Sequence, residues 1–219
     1  MILRGKKIFI MNKNPTKIEN LSAKVVSYLF HPLLMPTIGL YLFFNSGTYL
    51  ETINNEAKNF LYLIVGFSTC ILPILSLPVF IYRRLIKNIE MDVRNERIIP
   101  AIFALLFYFL GYYLLKNIPM PNILLAYISS VVAIASLALL ITIWWKISFH
   151  TLAIGGIIGA LIALSLRLDA DIQYYIMFSL ILAGFVATAR LRLNAHNYLQ
   201  VVAGFVLGLS VVFSFVYFS

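Results

Sequence analysis

Charged residues are absent from seven long stretches of this chain, and that spacing limits its fold more than any other feature. The stretches are residues 25–50, 59–82, 98–115, 117–145, 147–166, 172–189 and 193–219, and the shortest hold 18 residues. About 18 to 20 apolar residues cover the hydrocarbon core of a bilayer as a helix. Backbone groups in lipid must bond within their own segment, which leaves helices or closed barrels. Barrel strands alternate polar and apolar residues over ~10-residue segments. Runs such as Ile71–Leu75 and Ala135–Leu140 do not alternate. The expectation is an all-α, polytopic membrane bundle of six to seven transmembrane helices. A basic N-terminal segment, 1–24, precedes a transmembrane domain, 25–219. Composition agrees: 62% of residues are hydrophobic and 11% are charged, about half the charge of ordinary soluble domains, which run at ~25%.

If all seven stretches cross, the loops fall into two groups. Fourteen of the 17 Lys and Arg residues share one side, with residues 1–24, 82–98, 144–150 and 189–197. Only Lys58, Lys116 and Arg167 fall on the other. The positive-inside rule then places the first side, with the N-terminus, in the cytoplasm of a multi-pass protein of a bacterial inner or plasma membrane. Residues 1–24 contain no apolar stretch of signal-peptide length. Cys70, alone in its type, sits inside a stretch and reads as a packing residue.

Three polar clusters lie at stretch boundaries on that one side. The first runs Lys87-Asn-Ile-Glu-Met-Asp92-Val-Arg94-Asn95-Glu96-Arg97-Ile-Ile-Pro100. The second is Trp145-Lys146-Ile-Ser148-Phe-His150 and the third is Ala189-Arg190-Leu-Arg192-Leu-Asn194-Ala-His196-Asn197-Tyr198-Leu-Gln200. Polar groups facing lipid are costly, so these clusters are expected to converge on one another or on a wet cavity. Lys87, Arg94, Arg97, Lys146, Arg190 and Arg192 would make such a cavity strongly positive. Arginine suits phosphate through its planar fork and lysine acts as a point charge. Ser148 adds a neutral donor. Two histidines, His150 and His196, suit a nucleophile and a general acid. On a helix starting near Arg190, His196 and Gln200 would share a face, so Gln200 could hold one ring nitrogen and leave the other to attack. His31 belongs to no cluster. It reads as interfacial or structural, with pocket lining as the alternative.

These clusters resemble the signatures of the type 2 phosphatidic acid phosphatase superfamily. The third cluster is similar to Ser-Arg-x5-His-x3-Asp, reading Ala189-Arg190-x5-His196-x3-Gln200. The middle cluster resembles a variant of Pro-Ser-Gly-His, reading Ile147-Ser148-Phe149-His150. In the first cluster, Lys87 and Arg94 have the offset of Lys-x6-Arg-Pro, with Asn95 in the proline position. The motifs cover about 35 residues, and their order extends the likeness over 82–205. The resemblance implies metal-independent removal of phosphate or pyrophosphate from a membrane lipid, such as phosphatidic acid, phosphatidylglycerophosphate or a polyprenyl diphosphate. It implies His196 as the nucleophile that forms a phosphohistidine and His150 as the acid for the leaving alcohol. Arg190, Ser148 and basic residues of the first cluster would hold the phosphate. Gln200 stands in place of an aspartate: it can orient the ring but cannot stabilise imidazolium by charge, which predicts slower turnover. In bacterial members the site often faces away from the cytoplasm, the opposite of the charge count.

Other classes fit less well. No close His/Cys/Asp/Glu spacing suggests a metal and no cofactor is expected. No Gly-rich nucleotide loop occurs. The net charge of +9 is explained by membrane orientation and an anionic substrate, so no nucleic-acid partner is expected. The expected partners are a lipid phosphate and the bilayer, and the sequence does not set an oligomeric state. Two alternatives remain: a prenyl- or phosphotransferase using a diphosphate lipid, and a non-catalytic lipid-phosphate-binding protein.

Overall fold

A computed structural model describes residues 17–87 and 94–219, with the backbone alone for 17–19 and Arg94. Most of the basic segment, and Asp92 of the first cluster, lie outside the described residues. Among those described there are helices and no strands. The helices are α1 (Lys17–Leu29), α2 (Met35–Phe44), α3 (Asn55–Tyr82), α4 (Ile98–Leu115), α5 (Asn122–Trp144), α6 (Phe149–Leu168), α7 (Gln173–Arg192) and α8 (Tyr198–Tyr217). Six, α3 to α8, are long and apolar enough to cross a membrane.

The first charge-free stretch departs from expectation, because it is not one helix. Proline disfavours helical geometry in the residue before it, so Pro32 ends α1 near His31. Pro36, in the first turn of α2, suits a helix start. With 10 residues, α2 is about 15 Å long, half the hydrocarbon thickness. The chain nevertheless changes ends along this segment. His31 packs on His150 at one end of the bundle, and Phe44 packs on Tyr62 of α3 towards the other. The described residues of the three polar clusters therefore do share one end. Within α3, a π-turn at Phe67–Ile71 precedes Pro73, a usual place for a helix to bend.

At the centre stands α6, with thirteen of its 20 residues buried. A helix apolar all round belongs inside. By contrast, α4 and α7 turn Phe109, Leu110, Met177, Phe178 and Phe185 outward, where lipid rather than water meets them. The closest packing is between α6 and α8, which run side by side in the same direction. Gly155 and Gly159 of α6, and Gly204 and Gly208 of α8, have the spacing that lets helices touch through their backbones. A Cβ at Gly155 or Gly159 would strike the carbonyl of Phe205 or Leu209, and one at Gly208 the carbonyl of Leu152. At the top of the pair, the Ser148 amide donates to the Gln200 carbonyl at 3.3 Å. Glycine packing thus fixes the second cluster against the third.

Candidate active site

The site lies where the N-termini of α6 and α8 meet the ends of α1 and α7 and the start of α4. Between α7 and α8 the chain reverses within five residues. Asn194 makes this possible with a φ of 51°, a left-handed conformation that asparagine tolerates better than most residues. His196 falls in this turn, two residues before the first residue of α8, and is only 7% exposed. The helix expected to run from Arg190 through Gln200 is thus broken, yet the expected contact forms. Asn197 caps α8 by accepting from the Gln200 amide at 2.9 Å. The Gln200 side chain returns to accept from the Asn197 amide at 3.2 Å, completing a capping box. The same Oε1 accepts from His196 Nδ1 at 3.1 Å. Gln200 orients the ring because it is the third residue of a capped helix, not because the two share a helical face.

These bonds settle where the His196 proton sits. Arg97 Nη1 donates to His196 Nε2 at 3.3 Å. A guanidinium has no acceptor, so Nε2 must hold a lone pair and Nδ1 must carry the hydrogen given to Gln200. Burial, then the charges of Arg97 and Arg190, push the His196 pKa down to about 3, with Lys146 adding in the same direction and the Gln200 bond opposing. The ring is neutral at physiological pH, with its basic nitrogen turned to a cation.

His150 is the second residue of α6, whose N-cap is Ser148. Its Nε2 donates to the Ser27 carbonyl at 3.1 Å; a carbonyl only accepts, so this nitrogen is protonated. The Ser27 hydroxyl accepts from Arg190 Nη1 at 3.2 Å. One buried serine of α1 therefore holds both a histidine and an arginine of the site. His31 completes the group: its ring meets His150 edge-on, with centroids 5.5 Å apart. His31 Nδ1 accepts from the Leu33 amide at 3.4 Å, so its Nε2 carries the proton. Burial first and Arg190 second hold His31 below the ordinary imidazole range. Arg190, which bonds Ser27 beside His150, also acts electrostatically on the rings of His31 and His196.

The expected residues divide as follows. His196, Gln200, Arg97, Arg190, Lys146, Ser148 and His150 come together. Ser148 is wholly buried, and its hydroxyl caps α6 by accepting from the Thr151 amide at 3.4 Å. Its clearest role is to anchor the turn that carries His150. Lys87 is exposed, and among the described residues no contact links it to the histidines. Arg94 opens a 3-10 turn, Arg94–Arg97, that delivers Arg97; the Arg94 side chain lies outside the described residues. Ser27 has no counterpart in the sequence reading, and His31 takes the lesser of its two expected roles, lining the site. Neither lies in a charged cluster, and the one signal was Pro32, a helix breaker beside a histidine in an apolar stretch.

Chemically, the site combines three imidazoles, the cations Arg97, Lys146 and Arg190, and the positive ends of two helix dipoles. Such an arrangement favours a multiply charged anion, with a lone pair available to it from His196. Among the described residues no three His, Cys, Asp or Glu side chains form a group that could hold a metal ion. Comparison with protein-family models, with curated proteins and with solved structures finds no match.

Proposed function

We propose that this membrane protein removes phosphate or pyrophosphate from a lipid through a phosphohistidine on His196. The observation that carries the proposal is the fixed state of His196: Nδ1–H tied to Gln200, Nε2 bearing a lone pair, and three cations acting on the ring. Arg97 engages that lone pair in this structure. A phosphate, with three oxygens and more negative charge, competes for the guanidinium and draws Arg97, Arg190 and Lys146 onto itself. This frees Nε2 to attack phosphorus. The Nε2–P bond forms as the P–O bond to the lipid breaks, and the leaving oxygen takes a proton from His150. His150 enters the step as imidazolium after accepting the proton of the bound phosphate monoanion at Nδ1, its Nε2–H staying on the Ser27 carbonyl. Water then attacks the phosphohistidine, giving inorganic phosphate and restoring the Nε2 lone pair, with the proton of that water returning to His150. Phosphoryl transfer needs mostly positioning and charge stabilisation, which three fixed cations supply.

The charge count supports a cytoplasmic N-terminus, with this end of the bundle on the same side. The test is phosphate release from a panel of lipid mono- and diphosphates by purified protein, with a chelator present. His196→Ala and His150→Ala are expected to abolish release while leaving thermal unfolding near that of the parent. Normal turnover in both would end the assignment.

A further inference from the structure

Directly beneath the polar site lies an apolar cavity of about 110 Å³. Its walls come from the turn before α2 and from α2, α4, α5, α6 and α8. Small side chains keep it open: Ala101 and Ala104, Ala135 and Ala138, Ala153 and Gly156. A leucine at most of these positions would fill part of it. A dry engineered cavity of ~150 Å³ holds benzene or xenon, so this volume suits a segment of hydrocarbon chain. Two phenols, Tyr108 and Tyr127, line it, and Tyr127 donates to the Pro36 carbonyl at 3.1 Å.

Three connections join the cavity to the site. Arg97, Ala101, Ala104 and Tyr108 follow helical spacing down one face of α4, and the last three line the void. Phe149 lines it and directly precedes His150. Pro32 lines it and directly follows His31. Along α5 the lining runs from Ala138 to Tyr127, roughly 16 Å at 1.5 Å per residue. The void therefore starts beside the His31 and His150 segments, about one turn below Arg97, and descends into the bundle.

We infer that this cavity receives the hydrocarbon chain of the lipid whose phosphate binds at His196. The inference rests on the proposed function and adds to it that the chain is selected inside the bundle. Moving a chain from bilayer to cavity brings no hydrophobic gain, since both are apolar. The gain is contact and alignment: an unfilled void forfeits dispersion contacts along its lining, and a seated chain holds the phosphate in line with Nε2. A chain attached to the headgroup is the occupant whose polar end falls at the site.

The test is the double variant Ala104→Leu/Ala138→Leu, checked for folding by thermal unfolding in detergent. Turnover of a long-chain lipid monophosphate is compared with that of a short-chain, water-soluble analogue. The ratio of their kcat/KM values is expected to fall about tenfold or more in the variant, because the chain must be forced past added side chains. An unchanged ratio overturns the inference. A second readout does not need turnover. A phosphonate lipid carrying a photoreactive diazirine in its chain is crosslinked to the His196→Ala protein and the labelled residues are mapped. Label on the lining of α4 and α5, lost in the double variant, supports the cavity even where the phosphatase assignment fails. Label confined to outward residues such as Leu106 and Leu110 rejects it.

Discussion

Gln200→Leu separates positioning from mere presence of the nucleophile. Leucine keeps the helix propensity of the side chain but is one atom shorter and removes its acceptor. Two donors then lose their partner: His196 Nδ1, buried, and the Asn197 amide, in an exposed residue. The buried donor costs about 1–3 kcal/mol, and the exposed amide, open to water, about 0.5–1 kcal/mol. The sum of about 1.5–4 kcal/mol corresponds to a fall in Tm of roughly 3–16 °C for a chain of this size. The ring also loses the bond that keeps hydrogen on Nδ1. Relaxing the nucleophile by even 1 Å costs about 10²-fold, so kcat is expected to fall by about that factor with KM little changed. Gln200→Glu keeps the acceptor, adds charge facing Arg97 and Arg190, and is expected to retain or exceed parental activity. The assay pairs lipid-phosphate turnover with nitrogen NMR of ¹⁵N-histidine protein, which reports the tautomer at residue 196. Parental turnover, parental Tm and an unchanged tautomer in Gln200→Leu would refute the reasoning.

Acid is expected to destabilise the fold. A histidine whose folded pKa is about 3 against an ordinary 6.5 stays neutral while the unfolded chain takes up a proton. Its stability contribution is complete above pH ~6.5 and declines as pH falls towards 3, by up to about 1.4 kcal/mol per unit; His31 adds to the same limb. Unfolding at stepped pH measures this, and a fold equally stable at pH 4 and 7 would contradict it. Gly208→Leu drives a side chain into the Leu152 carbonyl, so it is expected to abolish turnover and lower Tm by more than Gln200→Leu does. Equal stability would show that α6 and α8 do not meet as described. Ser27→Ala removes the hydroxyl that engages Arg190 but keeps the carbonyl that engages His150. KM for substrate is expected to drop a few-fold, since Arg190 no longer exchanges one partner for another; a higher KM would show that Ser27 helps to hold substrate.

The bundle was legible because lipid removes most choices: charge-free length sets the crossings. The gathering of Arg97, Lys146, His150, Arg190 and His196 was legible for the same reason, since polar groups at stretch ends have few places to go. Two details were hidden by the lack of charge in the stretches themselves. Nothing in 193–219 marks where α8 begins except Asn197 and Gln200, a capping pair that reads equally as part of the site. In 25–50, Pro32 breaks the helix, but nothing local tells that the break hands His31 and Ser27 to His150. That depends on α1 docking on α7, a long-range contact with no local signature. Lys87 lies past the end of α3, where no helical periodicity sets the direction of a side chain.

Trapping the covalent intermediate tests the central claim most directly. The protein is mixed briefly with a lipid phosphate labelled on phosphorus, quenched in alkali and digested, and the labelled residue is identified by mass spectrometry. The account predicts phosphate on the ring of His196, absent from His196→Ala. Steady turnover with label on another residue, or with no protein-bound label at any time, would contradict it.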